Sequence, residues 1–325
     1  MKISLHFEQW PTVTPFRIAG RVYEKFESLN VEISDGTNVG RGEAHGVHYL
    51  GETPSSMMAQ IEAIYADVMK GIDRTDLARL LPPGGARNAL DSALWDLEAK
   101  RAGRTIWELT EVVAKPLETV FTIGLESTAD KMAEKADAAR AYGLLKVKLD
   151  GNLPVERIRA IRTARPDARI VVDVNQGWTF PQLRAVAPVM ADLGVLMIEQ
   201  PLPRGADHEL ENYRSPVRLC ADESCLHLGE LGEAASRYQM INIKLDKTGG
   251  LSHALELASE ARARGLGIMV GCMGGTSLAV APAFVIGCVS DLVDIDGPLL
   301  QKCDRVPGLL YEGGRVSVFG PDVWG

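Results

Sequence analysis

Apolar and polar residues alternate strictly over residues 145–149, Leu-Lys-Val-Lys-Leu. Because successive side chains of a β-strand point to opposite faces, this pattern predicts a strand with Lys146 and Lys148 on one face and three apolar side chains on the other. A buried ammonium group without a partner is costly, so we also expect carboxylates opposite these lysines, or chemistry at the strand end.

Four more short apolar runs each end in a charged residue, at Asp173, Glu199, Asp222 and Lys244. Counted from Lys148, successive members of this series lie 22 to 26 residues apart. A near-constant period of this size, with strand and helix patterns alternating inside it, is typical of a repeated strand–helix unit.

The repeated unit extends over most of the chain. The predicted strands cover residues 119–123, 145–149, 169–173, 195–199, 218–222, 240–245, 267–270 and 292–295. Helical patterns separate several of them, at residues 129–142, 155–164, 181–193 and 252–264, and the apolar stretch 278–286 is compatible with a further helix. Eight parallel strands wrapped by helices form a TIM-type barrel, so we predict an α/β fold with a (β/α)7β barrel domain over residues 119–299.

The first part of the chain follows a different pattern. Alternation at residues 2–7 and 28–33 predicts an antiparallel sheet, and helical spacing follows at 54–69 and 86–101. Strands followed by helices are typical of an α+β unit, so we predict a capping domain over residues 1–118. Residues 300–325 contain one more alternating piece, 315–319, and are expected to return to this domain.

Composition is that of an ordinary globular protein, with a hydrophobic share of 46% and a charged share of 24%. The net charge is -8 and no Lys/Arg cluster offsets it, so a nucleic-acid partner is not expected. The sequence shows neither the apolar core of a signal peptide nor a bilayer-spanning stretch, so we expect no membrane partner. Five cysteines fit reduced thiols and a cytoplasmic location. The sequence leaves open whether the chain forms a homo-oligomer.

The strand ends carry the candidate chemistry, because reactive groups of such barrels lie where strands end and loops begin. Asp173, Glu199 and Asp222, from three neighbouring strands, offer an all-oxygen site that suits Mg²⁺. A single acid of this kind is more often half of a salt bridge, whereas three in register favour the metal. Lys148 and Lys244 come from opposite sides of the barrel. They could remove and return a proton on opposite faces of one carbon, or simply neutralise the acids.

Several motifs at these positions are more specific. They are the helix at 86–97, Lys-x-Lys at 146–148, Asp-Val-Asn at 173–175, Ile-Glu-Gln-Pro-Leu at 198–202, Ala-Asp-Glu-Ser at 221–224 and Ile-Lys-Leu-Asp-Lys-Thr-Gly-Gly at 243–250. Together they resemble the muconate-lactonising branch of the enolase superfamily, and within it the dipeptide epimerases, over almost the whole chain. Members of that superfamily are known to pair a lysine or histidine base with Mg²⁺, so this pairing is implied by the resemblance and is not an independent inference.

The resemblance implies a Mg²⁺-dependent 1,1-proton transfer at the α-carbon of the C-terminal residue of a dipeptide, through an enolate. The implied site consists of the acid/base pair Lys148 and Lys244, the metal ligands Asp173, Glu199 and Asp222, the substrate-binding residues Lys146, Arg21, Asp294 and Asp296, and the supporting residues Asn175 and Glu223.

Substrate choice is expected to depend on two places in the sequence. Asp294 and Asp296 lie at the end of the last predicted strand, where alternation puts both on one face, and in dipeptide epimerases such a pair binds the free α-ammonium group. Arg21, with Arg17 nearby, would suit a glutamyl carboxylate through paired hydrogen bonds, and the loop at 42–51 is a candidate lid. The expected reaction is the conversion of L-Ala-D-Glu to L-Ala-L-Glu, as in murein peptide recycling. The alternatives are o-succinylbenzoate synthesis, N-acyl amino acid racemisation or cycloisomerisation, and non-catalytic dipeptide binding.

Overall fold

The N-terminal part of the chain folds as an antiparallel sheet followed by helices, as predicted. The computed structural model describes residues 1–18 and 20–325. The sheet has the order β1-β2-β3, with β1 at Lys2–Ile18, β2 at Arg21–Ser34 and β3 at Val39–Ala44. The helices are α1 (Pro54–Ala63), α2 (Tyr65–Lys70), α3 (Arg74–Leu80), α4 (Gly85–Ala102) and α5 (Ile106–Thr110). We call this unit the cap.

Two predictions in the cap were wrong in extent. β1 and β2 continue well beyond residues 2–7 and 28–33, because the outer part of their hairpin is largely exposed and no apolar alternation marks it there. The helix predicted over 54–69 is interrupted at Ile64, which leaves the helical conformation with φ −108° and ψ 13°. The interruption separates α1 from α2.

Helix α4 is buried on nearly all sides because it lies between the cap sheet and the second half of the molecule. Its polar residues are therefore buried as well, and they bond to that second half. The Arg87 guanidinium donates to the Thr248 carbonyl at 2.6 Å, and the Ser252 hydroxyl donates to the Asp91 carboxylate at 2.6 Å. These buried contacts fasten the cap to the rest of the chain.

The predicted (β/α)7β barrel is confirmed. After β4 (Leu117–Glu118) come eight parallel strands, each hydrogen-bonded to the next in chain order. They are β5 (Phe121–Ile123), β6 (Leu144–Lys148), β7 (Arg169–Asp173), β8 (Val195–Glu199), β9 (Arg218–Ala221), β10 (Met240–Lys244), β11 (Gly267–Gly271) and β12 (Leu292–Val293). The Val120 amide donates to the Val293 carbonyl at 2.9 Å, which joins the two ends of the sheet into a closed barrel.

Helices cover the outside of the barrel, and the helix left open over residues 278–286 is present. They are α6 (Ala129–Ala138), α7 (Pro154–Ala164), α8 (Phe180–Asp192), α9 (Leu231–Arg237), α11 (Leu251–Ala263) and α12 (Ser277–Gly287), whereas the short α10 (Leu245–Thr248) follows the carboxyl end of β10 and packs against α4 of the cap. Between β8 and β9 the described chain forms a short 3₁₀ segment, His208–Asn212. Among the described residues, no helix has the length and apolar character needed to cross a bilayer.

The interior of the barrel is apolar at one end and charged at the other. One end is filled by a layer of buried side chains from successive strands, namely Val120, Leu144, Val171, Met197, Cys220, Met240 and Met269. Two and four residues after Leu144, the same face of β6 carries Lys146 and Lys148, while Leu145 and Val147 pack outward against the helices. The strand alternation thus places both lysines inside the barrel, at its carboxyl end.

The C-terminal segment contacts both parts of the molecule. Strands β13 (Tyr311–Glu312) and β14 (Arg315–Val316) pair with β4 beside the barrel. The last two residues reach the cap, where the Trp324 indole donates to the Arg41 carbonyl at 3.1 Å and the Gly325 amide donates to the Asp96 carboxylate at 2.9 Å. The domain limits at residues 118 and 299 stay a prediction.

Candidate active site

Strand register places the charged residues side by side at the carboxyl end of the barrel. Lys148 on β6 is the pairing partner of Asp173 on β7, and Asp173 is the partner of Glu199 on β8. Glu199 in turn pairs with Cys220, two residues before Asp222. Because residues two apart share a strand face, the three carboxylates point to the same interior space. All three side chains are buried, with at most 1% exposed.

Lys146 lies at the centre of this charged group. Its ammonium nitrogen is 2.6 Å from Asp294 Oδ2, 2.7 Å from Glu199 Oε2 and 3.0 Å from Asp173 Oδ2. The pKa of Lys146 is lowered by burial, but these three carboxylates outweigh that effect and raise it well above its ordinary value. The surrounding carboxylates therefore favour the charged form of Lys146.

The two lysines predicted as an acid/base pair line one cavity. Lys148 donates to Asp173 at 2.6 Å and to the side-chain oxygen of Asn175 at 3.2 Å, while Lys244 donates to Asp222 at 2.6 Å. They reach the cavity from β6 and β10, which are separated by three strands. A small ligand between them would present opposite faces to the two amines.

The three acids differ in the direction of their pKa shifts. Burial raises the pKa of Asp173, but the charges of Lys146 and Lys148 lower it by more, so that the resulting pKa is about 2. Burial likewise opposes ionisation of Asp222, yet the ammonium of Lys244 keeps its pKa far below the ordinary range. At Glu199, burial and the neighbouring Asp173 charge raise the pKa to about 7. The lysines alone therefore do not fully compensate three adjacent carboxylates.

The same three acids suit a hard divalent cation. Their donor atoms are all carboxylate oxygens, which is the donor set that Mg²⁺ prefers. Within residues 1–18 and 20–325, Glu199 Oε2 has no partner in hydrogen-bond geometry, although the Lys146 nitrogen is close. No cluster of three or more His, Cys, Asp or Glu side chains arranged to hold a metal ion is found in the described chain. The ammonium groups of Lys146 and Lys148 lie beside Glu199 and Asp173. A bound cation would provide part of the charge compensation that these ammonium groups now give to the three acids.

Asp294 and Asp296 line the opposite side of the cavity, at the end of β12. Asp296 accepts a hydrogen bond from the Thr122 amide at 2.7 Å. Burial and the adjacent Asp294 charge raise the pKa of Asp296 to about 7. Two buried carboxylates so close together favour a cation that can interact with both.

Two further predicted residues also line the cavity, but Arg21 does not. Asn175 lies beside Lys148, and Glu223 is buried, with a pKa that burial and the Asp222 charge raise to about 8. The Arg21 guanidinium instead lies over the ring of Tyr23, 4.6 Å from its centre, in an adjoining cavity. The cavity that Lys148 and Lys244 line has a volume of about 80 Å³.

Family models match both parts of the chain. Residues 2–110 match the N-terminal domain of mandelate racemase / muconate lactonizing enzyme, and residues 131–318 match the enolase C-terminal domain-like family. The chain belongs to the enolase superfamily. This confirms the resemblance drawn from the sequence motifs.

Two relatives of this enolase-superfamily chain are similar over most of its length. The L-Ala-D/L-Glu epimerase of Escherichia coli is 44% identical and covers 97% of this chain and 99% of its own. The N-acetyl-D-glutamate racemase of a Pseudoalteromonas species is 41% identical and covers 87% of this chain and 91% of its own.

Solved structures give the same fold. An enolase family member from Agrobacterium tumefaciens with homology to dipeptide epimerases, solved with sodium and L-Ala-L-Glu bound, is 41% identical, with a TM-score of 0.97 and coverage of 99% of both chains. A dipeptide epimerase from Methylococcus capsulatus, complexed with Mg and L-Arg-D-Lys, is 30% identical with a TM-score of 0.89 and covers 99% of this chain and 98% of its own.

Sequence reasoning missed the residues that hold the acids in place. The fully buried Gln200 accepts hydrogen bonds from the Asp222 and Ser224 amides at 2.9 and 3.0 Å. Its backbone has φ 36°, in the left-handed region that costs energy for a residue with a side chain. Lys247 donates to Asp222 Oδ1 at 2.7 Å and to three nearby carbonyls. Gln200 directly follows Glu199 in the Ile-Glu-Gln-Pro-Leu motif at 198–202, and this position is the signal that could have identified it.

The cap also contributes to the cavity, through residues that carry no motif. Tyr23 and Phe26 of β2, with His48 and Tyr49 of the predicted lid loop, line it from above the strand ends. His48 lies close enough to Lys148 and Lys244 for both to lower its pKa, after the larger effect of burial. The cap side of the cavity is therefore largely aromatic.

Proposed function

We propose that this chain is a Mg²⁺-dependent dipeptide epimerase, an isomerase that moves the α-proton of the C-terminal residue of a dipeptide. The observation that carries the proposal is the shared cavity, in which two lysines from opposite sides of the barrel enclose a space next to three buried carboxylates. The relatives support the proposal, because the similar proteins from E. coli and M. capsulatus are named as dipeptide epimerases.

Proton transfer is assigned to Lys148 and Lys244. The amine that starts neutral takes the α-proton from one face, and the C–H electron pair moves into the adjacent carboxylate of the substrate. The other lysine starts as an ammonium and returns a proton to the opposite face, which inverts the configuration. Both protons are accounted for, since each turnover exchanges the protonation states of the two lysines.

Asp173, Glu199 and Asp222 are assigned as ligands of the Mg²⁺ ion. When bound, Mg²⁺ supplies positive charge that stabilises the negative charge developing on the substrate carboxylate. Lys146 is assigned to the same carboxylate, because its ammonium lies among these acids and is held charged by them. Asn175 and Glu223 are assigned as supporting residues beside this group.

Asp294 and Asp296 are assigned to the free α-ammonium group of the dipeptide. Lys146 contacts Asp294 in this structure, so a bound ammonium group would share that carboxylate. The substrate that this arrangement supports is L-Ala-D-Glu, converted to L-Ala-L-Glu. Arg21, in the adjoining cavity, stays a prediction for the glutamyl carboxylate.

A second candidate is racemisation of an N-acylated glutamate. The observation that favours it is the similarity to the N-acetyl-D-glutamate racemase, which is nearly as high as that to the E. coli epimerase. An N-acetyl group carries no positive charge, so it would add no cation beside the two carboxylates at residues 294 and 296, of which Asp294 is contacted by Lys146. This mismatch makes the dipeptide the better substrate.

Isotope exchange tests the proposal directly. Enzyme and Mg²⁺ are incubated in D₂O with L-Ala-L-Glu and, in parallel, with N-acetyl-D-glutamate, and deuterium at the α-carbon is read by mass spectrometry. We expect faster uptake into the dipeptide and loss of uptake when a chelator removes the metal. Absence of exchange into the dipeptide would falsify the assignment, and faster uptake into N-acetyl-glutamate would favour the second candidate.

Lysine variants identify the two bases. Lys148→Ala and Lys244→Ala should each abolish epimerisation, while exchange on the face served by the remaining lysine can survive with one enantiomer only. Lys70→Ala is the matched control, because Lys70 is an exposed lysine of α2 paired with Asp67. Normal epimerisation in either cavity variant would remove that lysine from the mechanism.

A further inference from the structure

The cap side of the cavity carries a buried hydroxyl that the protein does not pair. Tyr49 lies in the short 3₁₀ helix His48–Leu50 and lines the cavity. Its hydroxyl oxygen is inaccessible to solvent and has no hydrogen-bond partner among the described residues. Buried polar atoms are nearly always paired, and leaving one unpaired costs stability, so this hydroxyl calls for an explanation.

Other buried tyrosines of the chain show the usual arrangement. The Tyr238 hydroxyl donates to Asp207 at 2.7 Å, and the Tyr311 hydroxyl donates to the Ile295 carbonyl at 2.7 Å. A phenylalanine would fill the same space at residue 49 without the cost of an unpaired oxygen. The contrast indicates a ligand as the partner of Tyr49.

The hydroxyl of Tyr49 is a hydrogen-bond donor under ordinary conditions. Burial raises the pKa of Tyr49 well above its usual value, and the nearby Asp222 charge raises it further. The ring of His48 packs edge-on against Tyr49, with 5.3 Å between ring centres. Tyr49 thus presents a fixed O–H group close to Lys244, whose charge also acts on it.

The proposed reaction leaves one direction for the substrate side chain. The α-carbon has four substituents, and its proton must lie on the line between Lys148 and Lys244. Its carboxylate faces the acids of β7 to β9, and its amide nitrogen leads to Asp294 and Asp296. The fourth substituent, the side chain, is left to point away from the strand ends and toward the cap, where Tyr49 lies.

We propose that Tyr49 is a substrate-binding residue that donates a hydrogen bond to a side-chain oxygen of the C-terminal residue of the dipeptide. This inference rests on the proposed function and refines it. The substrate class is a dipeptide whose C-terminal side chain carries an acceptor oxygen, such as a glutamyl or glutaminyl residue, in preference to an apolar side chain of similar length.

The test compares Tyr49→Phe with the wild-type enzyme on three dipeptides. L-Ala-L-Glu and L-Ala-L-Gln carry an acceptor oxygen, and L-Ala-L-Met is similar in length without one. We expect kcat/KM for the first two to fall at least about tenfold, through a rise in KM, and kcat/KM for L-Ala-L-Met to change less than about twofold. If L-Ala-L-Met turns over too slowly, its inhibition constant against L-Ala-L-Glu exchange replaces kcat/KM.

The control is Tyr65→Phe, because Tyr65 is an exposed tyrosine of α2 outside the cavity and its loss should leave all three substrates unaffected. An equal loss on all three dipeptides in Tyr49→Phe would place the contact on the shared backbone and overturn the inference. So would an unchanged kcat/KM on all three. If the wild-type enzyme exchanges none of the three dipeptides, the proposed function fails first and this inference fails with it.

Discussion

At the scale of single residues, position decides what a buried lysine does. Lys146, Lys148 and Lys244 sit at strand ends, each against at least one carboxylate, with the cavity beside them. Lys247 is equally buried, but its ammonium is surrounded by Asp222 and backbone carbonyls. A lysine whose donors are all taken by fixed acceptors stabilises a loop, whereas one that also faces a cavity can exchange a proton with a ligand.

Asp296→Asn tests the ammonium site. The variant keeps an oxygen for the Thr122 amide but removes the negative charge, so it should bind the α-ammonium group less well. Hydrogen bonds to charged groups contribute about 1.5 to 3 kcal/mol, so we expect kcat/KM for L-Ala-L-Glu to fall about ten- to a hundredfold. Steady-state kinetics of epimerisation measures this change.

The matched control is Asp291→Asn. Asp291 binds the Ile268 amide and Arg262 at the amino end of β11, away from the cavity. Its replacement should leave kcat/KM unchanged. Full activity of Asp296→Asn would show that the dipeptide ammonium is not bound there and would strengthen the case for an uncharged N-substituent.

At the scale of elements, the contact between β3 and α4 depends on glycine. A Cβ atom added at Gly40 would lie 2.1 Å from the Ala93 carbonyl oxygen, and one added at Gly42 would lie 2.1 Å from the Ala89 carbonyl oxygen. No side chain can be tolerated at such distances without moving the backbone. The absence of two side chains on one strand face lets the cap sheet approach α4, which is itself bonded to the barrel.

Gly42→Ala should therefore separate β3 from α4. We expect the free energy of unfolding to fall by about 3 kcal/mol, as for other substitutions that overpack a core. Urea denaturation followed by circular dichroism measures it. Gly232→Ala, within α9, is the control, because the added Cβ would meet only the end of the Arg264 side chain at 3.9 Å. Alanine at this position should raise the free energy of unfolding by about 0.5 to 1 kcal/mol. Equal effects of the two changes would contradict the packing argument.

At the scale of the whole molecule, one buried carboxylate joins three separate segments. Glu43 on β3 accepts from the Thr276 hydroxyl at 2.6 Å, at the start of α12, and from Arg305 in the C-terminal segment at 2.6 Å. Arg305 also pairs with Glu8 on β1. The cap, the barrel and the C-terminal segment thus meet at the Glu43 carboxylate. Its partner Thr276 closely follows the loop at 272–274, which lines the cavity.

The charge on Glu43 should make stability depend on acid pH. Burial alone would raise its pKa, but the neighbouring His45 ring and the Arg305 guanidinium lower it from 4.5 to about 2. A carboxyl group with a lowered folded-state pKa stabilises the fold above its unfolded pKa and loses that contribution as the pH falls. The contribution of about 3 kcal/mol should therefore be complete above about pH 4.5 and disappear toward pH 2.

Comparison of Glu43→Gln with the wild-type protein checks this pH dependence. The difference in their free energies of unfolding should be largest near neutral pH and should shrink between about pH 4.5 and pH 2. Glu118→Gln, which breaks the exposed ion pair with Arg169, should change stability by less than about 1 kcal/mol at any pH. A Glu43→Gln difference that does not vary with pH would show that its effect is not electrostatic.

The barrel and the order of its charged residues were predictable from local patterns in the chain. Alternation and the near-constant period are local properties of each strand, and in a parallel barrel all strand ends meet at one face, so the positions of Lys148, Asp173, Glu199 and Asp222 followed from the chain alone. The roles of these residues stay proposals. The limits predicted for the strands at 169–173 and 195–199 agree with the observed ones, because each strand ends at the charged residue that closes its apolar run.

Long-range packing sets which cap residues reach the cavity, and local patterns did not predict it. Tyr49, in the 3₁₀ helix His48–Leu50, lines the cavity together with Lys244, whereas Arg21, at the start of β2, is stacked on Tyr23 outside it. Tyr49 and Lys244 are 195 positions apart in the chain, and no local rule of spacing encodes that they line the same cavity. This placement depends on how β3 packs on α4 and how α4 packs on the barrel, which is a property of the assembled fold.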